Sequence, residues 1–193
     1  MPSPIAHSLM GAAGYLALSP RSPKSFSGRL RENPGRLLLF VFASNLPDLD
    51  MLFGYLSSGN FHAFHGKASH SILAALVAVL AAGVLYPKSK NKGKVLLTVL
   101  VLILLHDFMD SAASPDLSRP GPGVWLFFPL REPIAFPVPV LFGFRHRTME
   151  QLVSIRNLFV VGLELFEFSM VLFLLHVFKK KAVLFSFSHP GGK

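Results

Sequence analysis

Five apolar stretches run along the chain, from about Pro4 to Leu18, Leu37 to Leu56, Ser71 to Tyr86, Val95 to Ala113 and Asn157 to Phe178. None is a clean run of the roughly 20 apolar residues that crosses a bilayer, because each holds an ionisable side chain or falls short at one end. Composition decides what such stretches are for. Of 193 residues 51% are hydrophobic, 15% are charged and 19 are Phe, against roughly 25% charged in a soluble domain. A water-soluble globule of this size leaves roughly 30% of its unfolded surface exposed and could not hide so much apolar area. Disorder is excluded for the opposite reason, since it requires low hydrophobicity. The chain is expected to be an all-α, integral-membrane helical bundle of about five spans, one domain over residues 1–193. With no Cys, disulfides and thiolate metal sites are ruled out, so any metal must rest on His, Asp or Glu.

The net charge of +9 sits mostly in linkers. Pro20 to Arg36 carries Arg21, Lys24, Arg29, Arg31 and Arg36 against Glu32, Lys88 to Lys94 carries four lysines, and Lys179, Lys180 and Lys181 follow the last stretch. Cytoplasmic loops collect such residues, so these three segments are expected inside and the N-terminus outside, in a multi-pass inner-membrane protein. Basic residues split among separate loops do not make a nucleic-acid surface, and no nucleic-acid partner is expected. Met1 to Leu18 does not read as a signal peptide, because His7 lies within it and its basic residues come afterwards. It is expected to remain as a shallow helix. The long connection from Ser114 to Arg156 is rich in Pro, with Trp125, Phe127 and Phe128, and suggests an irregular segment at the interface rather than a sixth ordinary span, the alternative being a sixth, re-entrant element around 124–144.

Ionisable side chains at membrane depth are costly and mark function by default. His7, Asp48, Asp50, His65, His70, His106, Asp107 and Asp110 all fall on the outer side under a topology drawn from Lys and Arg alone. His106 and Asp110 share a helical face at i, i+4, and Asp107 points elsewhere. Asp48 and Asp50 would diverge by about 200° on a regular helix, so Pro47 must break it for both carboxylates to converge. His65 and His70 need a turn between them, and Ser69 is available as an N-cap for the helix that follows. Nitrogen and oxygen ligands without sulfur suit a divalent Zn, Mn or Fe ion, with one to three ions in such a group. Two ions would clamp a phosphate and activate water. Glu164 is placed to buttress a ligand histidine or to pair with Arg145 or Arg147. His62, His146 and His189 read as solvated loop residues.

Taken in order, Pro4-Ile5-Ala6-His7-Ser8-Leu9-Met10-Gly11, Asn45-Leu46-Pro47-Asp48-Leu49-Asp50, His65 to His70-Ser71 and His106-Asp107-Phe108-Met109-Asp110 resemble the motifs of the YdjM-type, LexA-binding, inner-membrane metal-dependent hydrolases. That family is in turn distantly similar to the zinc-dependent phospholipase C and single-strand nuclease group, helical proteins that cleave phosphoesters with clustered zinc. The resemblance implies a zinc-type metal site on His7, Asp48, Asp50, His70, His106 and Asp110, with His65 next. Where the family commonly has Arg and then Gly after its first central histidine, this chain has Gly66 and Lys67, and lysine offers phosphate a point charge in place of a fork. Nothing in the chain reads as a docking motif for LexA.

The expectation is therefore a metal-dependent hydrolase that cleaves phosphoester bonds of lipid or lipid-linked substrates at the outer face, among membrane lipids. Asp50, His65 and Lys67 are its catalytic candidates, Asp50 orienting or deprotonating water. The alternative is a non-catalytic membrane protein with a structural, sensing or transport metal site. Transport would need ligands along a path to the inner side, where few stand beyond Glu167 and His176.

Overall fold

A computed structural model of the protein describes residues 1–20, 24–85, 91–145 and 148–188, with side chains as far as Lys180. Local chemistry sets the helix limits. Ser3 caps α1 (Pro4–Leu18) through its hydroxyl, which accepts from the Ala6 amide, and Pro4 occupies the first turn, where a missing N–H costs nothing. Ser19, forced extended by Pro20, ends the helix. A five-residue helix, α2 (Phe26–Leu30), follows within the basic linker. Asn33 caps α3 (Pro34–Asn45) by accepting from the Arg36 amide at 3.0 Å. Pro47 lacks the donor that would continue α3, so the chain bends by 58° before α4 (Leu49–Ser58), which stops at Gly59 with a left-handed φ of 68°. After a single 3-10 turn at Ala68–His70 come α5 (Ile72–Leu85) and α6 (Lys92–Ala112). Ser71, not the expected Ser69, caps α5, accepting from the Ala74 amide at 3.2 Å.

The connection from α6 to α8 (Ile155–Ser188) is irregular apart from α7 (Met149–Leu152) and a two-residue parallel pairing. In that pairing β1 (Ala113–Ser114) meets β2 (Leu141–Phe142) in the register Ala113 to Leu141. Residues 124–144 form no helix. Val124 and Ile134 form an antiparallel bridge instead, and the segment is laid across one end of the bundle. Trp125 N–H donates to the Gly66 carbonyl, Ile72 N–H to Leu126 and Phe144 N–H to Met1. The Arg156 guanidinium clamps it by donating to the Gly143 and Pro115 carbonyls, both at 2.8 Å.

Within the bundle α1 is central, packed against α3, α6 and α8, while α5 packs on α6. The α1–α3 contact is close because Gly11 has no side chain. A Cβ there would lie 2.6 Å from Ser44 Oγ and 2.7 Å from the Phe40 carbonyl oxygen. The core around it consists of Ala6, Met10, Leu16, Phe40, Leu102 and Ile103. Outward faces carry bare apolar side chains, among them Leu80 at 72% exposure and Phe173 at 63%, as lipid-facing helices do. Among the described residues, α6 and Ile155–Lys180 of α8 are long and apolar enough to cross a bilayer, and the bent α3–α4 pair makes a third. The other two of the five expected spans, α1 and α5, are described over 15 and 14 residues, short of the ~20 that cross ~30 Å of hydrocarbon at ~1.5 Å per residue.

The Gly11 contact carries a prediction. Gly11→Ala drives a methyl into α3 backbone that cannot yield, and should cost about 1–3 kcal/mol, read as a lowered Tm in detergent. Gly162→Ala on α8, with nothing within 4 Å of its Cβ, should leave Tm unchanged or raise it, by up to ~1 kcal/mol. Equal Tm values for Gly11→Ala and wild type would contradict the close approach.

Candidate metal centre

Each break in the helices delivers a side chain to one place. The bend at Pro47 swings Asp48 and Asp50 inward from different sides. Gly66, with φ of 78°, and the 3-10 turn bring His65 and His70 together. α6 carries His106 and Asp110 on one face, and α1 inserts His7, whose ring stacks on His106 with centroids 3.8 Å apart. The three rings of His7, His70 and His106 are shut off from solvent, and Asp110 is 4% exposed.

Hydrogen bonding fixes the tautomers. A backbone carbonyl only accepts, so His106 Nδ1, 2.8 Å from the Ser44 oxygen, carries a proton. The Ser69 hydroxyl donates its one proton to Asp50 Oδ2, and therefore accepts from His70 Nδ1 at 3.0 Å. Both rings then aim Nε2 lone pairs inward, 3.3 Å from each other. Asp110 Oδ2 lies 3.2 Å from His70 Nε2 and 3.6 Å from His106 Nε2, and Asp48 Oδ1 lies 3.5 Å from His106 Nε2. Two nitrogens and two carboxylate oxygens thus converge within 4.8 Å of one another. The oxygens of Asp48 and Asp110 are buried and accept no hydrogen bond. Such a set of acceptors calls for a cation at its centre, and the residues fit a divalent metal with imidazole and carboxylate ligands.

The other carboxylate oxygens turn toward His7, whose Nε2 is 3.4 Å from Asp110 Oδ1 and 4.0 Å from Asp48 Oδ2. Neither ring nitrogen of His7 has a hydrogen-bond partner. A second potential ligand group, Asp50, His65 and His70, is weaker, because His70 Nδ1 is already engaged by Ser69. There Asp50 Oδ1 holds His65 Nδ1 at 3.1 Å. That contact leaves His65 Nε2 as the basic nitrogen, beside a cavity of about 450 Å³ lined by His62, His65, Asp110, Trp125, Phe144 and Arg145 among others.

His7, Asp48, Asp50, His65, His70, His106 and Asp110 are therefore gathered into one cluster. Lys67 is not. Gly66 reverses the chain just before it, so its ammonium lies exposed and donates to the Ala63 carbonyl at 3.2 Å. Asp107 is buried with neither oxygen hydrogen-bonded, on a different face of α6 from the His106/Asp110 pair. Glu164 neither buttresses a histidine nor pairs with Arg145. It accepts from the Ser3 amide at 2.8 Å and from the Ser3 hydroxyl, pinning the start of α1 to α8. His146 and His189 lie outside the described residues. Reading the sequence missed Ser44, whose hydroxyl also donates to the His7 carbonyl at 2.7 Å, and missed the bridging role of Ser69. His62 was placed among solvated loop residues, yet its ring meets the His65 ring edge-on at 5.6 Å.

The architecture and the cluster define a helical membrane protein with a buried His/Asp centre capable of holding metal. Residues 1–183 match the family model of the YdjM inner membrane protein, and the chain belongs to that family. No curated protein and no solved structure matches it.

Ligand imidazoles must be neutral to bind metal, so affinity should fall as pH drops through the ordinary histidine range near ~6.5. Added Zn²⁺ or Mn²⁺ should raise the Tm of chelator-stripped protein at pH 7.5, by ~2.7 kcal/mol of stability at a hundredfold excess over Kd. The rise should shrink at pH 5.5 and be lost in Asp110→Asn. An unchanged Tm at both pH values would count against a metal centre.

Proposed function

We propose that this chain is a membrane-bound, metal-dependent hydrolase of phosphoester bonds in lipid or lipid-linked substrates, with its site toward the non-cytoplasmic side. The observation that carries the reading is the convergence of two imidazole lone pairs and two buried carboxylates at the foot of an open cavity. A divalent ion held by Asp48, His70, His106 and Asp110, with His7 available to a second, would supply an acidified water and neutralise charge on a phosphate. Zinc suits the ligand set, as do manganese and iron.

The chain's own residues do the rest. His65, oriented by Asp50 through Nδ1, presents Nε2 at the cavity wall, where it can take a proton from water and return it to the leaving oxygen. Asp50 stabilises the imidazolium so formed, and Ser69 fixes Asp50. Trp125 and Phe144 give the cavity an apolar wall, suited to an amphiphile whose headgroup reaches the site from the leaflet. In this reading the five apolar segments α1, α3–α4, α5, α6 and α8 make up a multi-pass bundle, the basic linkers facing the cytoplasm. A transport role is less well supported. The described ligands cluster at one end of the bundle, and Glu167 and His176 do not extend them into a path.

Release of phosphate-bearing headgroups from phospholipid vesicles by purified protein tests the proposal. His65→Ala should lower the rate by about 10²–10⁴ while retaining metal. Asp110→Ala should lose both metal and activity, and Lys67→Ala should keep most of its activity. A metal-loaded wild type without hydrolysis, or His65→Ala as fast as wild type, would overturn it.

A further inference from the structure

At the end of the bundle away from the metal centre, Arg29 is fully buried, and none of its three guanidinium nitrogens has a hydrogen-bond partner. A desolvated cation of this kind is costly unless an anion meets it. Among the described residues no carboxylate meets it. The chain's ten acidic residues include nine that lie from Asp48 onward, at the start of α4, in α6, in the long connection or in α8, and no ion pair joins any of them to Arg29 among the described residues. The tenth, Glu32, pairs with Lys24 at 3.1 Å. The undescribed segments contain no Asp or Glu.

The surroundings of Arg29 are built, and they are basic. The Tyr15 hydroxyl donates to the Arg29 carbonyl at 3.0 Å and accepts from the Asn33 amide at 3.1 Å, fixing the junction of α2 and α3. Phe26 meets the His176 ring edge-on at 5.8 Å, which sets α2 against α8. His176 Nδ1 is also buried without a partner. One turn further, Lys179 reaches across to the Ala17 and Ser19 carbonyls at the end of α1. An apolar groove of about 510 Å³ between α1, α6 and α8 is lined by Ala17, whose carbonyl accepts from Lys179, and by Leu175, the residue before His176.

We propose that Arg29, with His176, forms an anion site for the phosphate of an anionic phospholipid whose acyl chain lies in the α1/α6/α8 groove. The guanidinium fork matches phosphate oxygens in pairs. Basic clusters next to membrane helices attract such headgroups, and the long arginine stem lets the fork swing to the interface while its methylenes stay packed. The site is separate from the metal centre and does not depend on the hydrolase reading.

The test uses delipidated full-length protein in a neutral detergent, with Tm read against added phosphatidylglycerol, phosphatidylcholine or inorganic phosphate. Phosphatidylglycerol should raise the wild-type Tm by several degrees, and phosphatidylcholine by less. Arg29→Met, free of the uncompensated charge, should be at least as stable as wild type without lipid and should lose the response to phosphatidylglycerol. Arg29→Lys, which keeps charge without the fork, should respond with an affinity lowered about tenfold. If inorganic phosphate alone reproduces the shift, the anion site stands and the groove does not select its ligand. A wild type indifferent to both phosphatidylglycerol and phosphate, or an Arg29→Met or Arg29→Lys protein with the full wild-type response, would overturn the site.

Discussion

The Ser44 carbonyl and the Ser69 hydroxyl each take the Nδ1 proton of a buried histidine, which turns the Nε2 lone pairs of His106 and His70 toward one another at 3.3 Å. Asp48 and Asp110 complete the ring of acceptors, and no hydrogen-bond donor reaches their oxygens. Burying a carboxylate without compensation costs several kcal/mol per ion, a cost that a cation held among these atoms would offset. Much of the fold acts to hold these atoms in place. Gly11 lets α1 approach α3, so that Ser44 bonds both the His7 carbonyl and the His106 ring. Pro47 breaks the second apolar stretch where the carboxylates must turn in. The Glu164 contact with Ser3 and the Arg156 clamp hold α1 and the covering loop over the site.

The two ends of the bundle are chemically opposite. One gathers four imidazoles with Asp48, Asp50 and Asp110 beside a cavity, while the other gathers unpaired or carbonyl-bonded cations with Glu32 near them. Between them the outward faces are aliphatic and aromatic. That polarity follows from the bilayer as solvent, since ionisable groups at depth persist only where they face partners inside the protein. It also sets a His/Asp group that could hold a metal at one end and a buried guanidinium at the other.

Much of this was legible in the sequence, where the signal was local. The bounds of α1 follow from Ser3-Pro4 and Ser19-Pro20, and the i, i+4 spacing of His106 and Asp110 puts both on the inner face of α6. The convergence of Asp48 with Asp50 follows from Pro47. What was not legible depends on contacts between distant segments. Ser44 acts through its backbone carbonyl, which has no residue signature, and Ser69 spends its hydroxyl on Asp50 where the pattern suggested a helix cap. The outward position of Lys67 was not legible, because it follows from the chain reversal at Gly66. The buried state of Arg29 was hidden among exposed cations of the same linker. Span number was not legible, because hydropathy does not report that α1, though apolar, is a 15-residue helix packed on three sides.

The central claim is that a divalent cation completes the acceptor ring of His70, His106, Asp48 and Asp110. Crystals of the full chain grown with Zn²⁺ or Mn²⁺, measured at the metal's absorption edge, test it most directly. The account predicts an anomalous peak among those four side chains, about 2.0–2.2 Å from nitrogen and oxygen ligands. Ordered side chains in the same positions with no anomalous scatterer between them would contradict it.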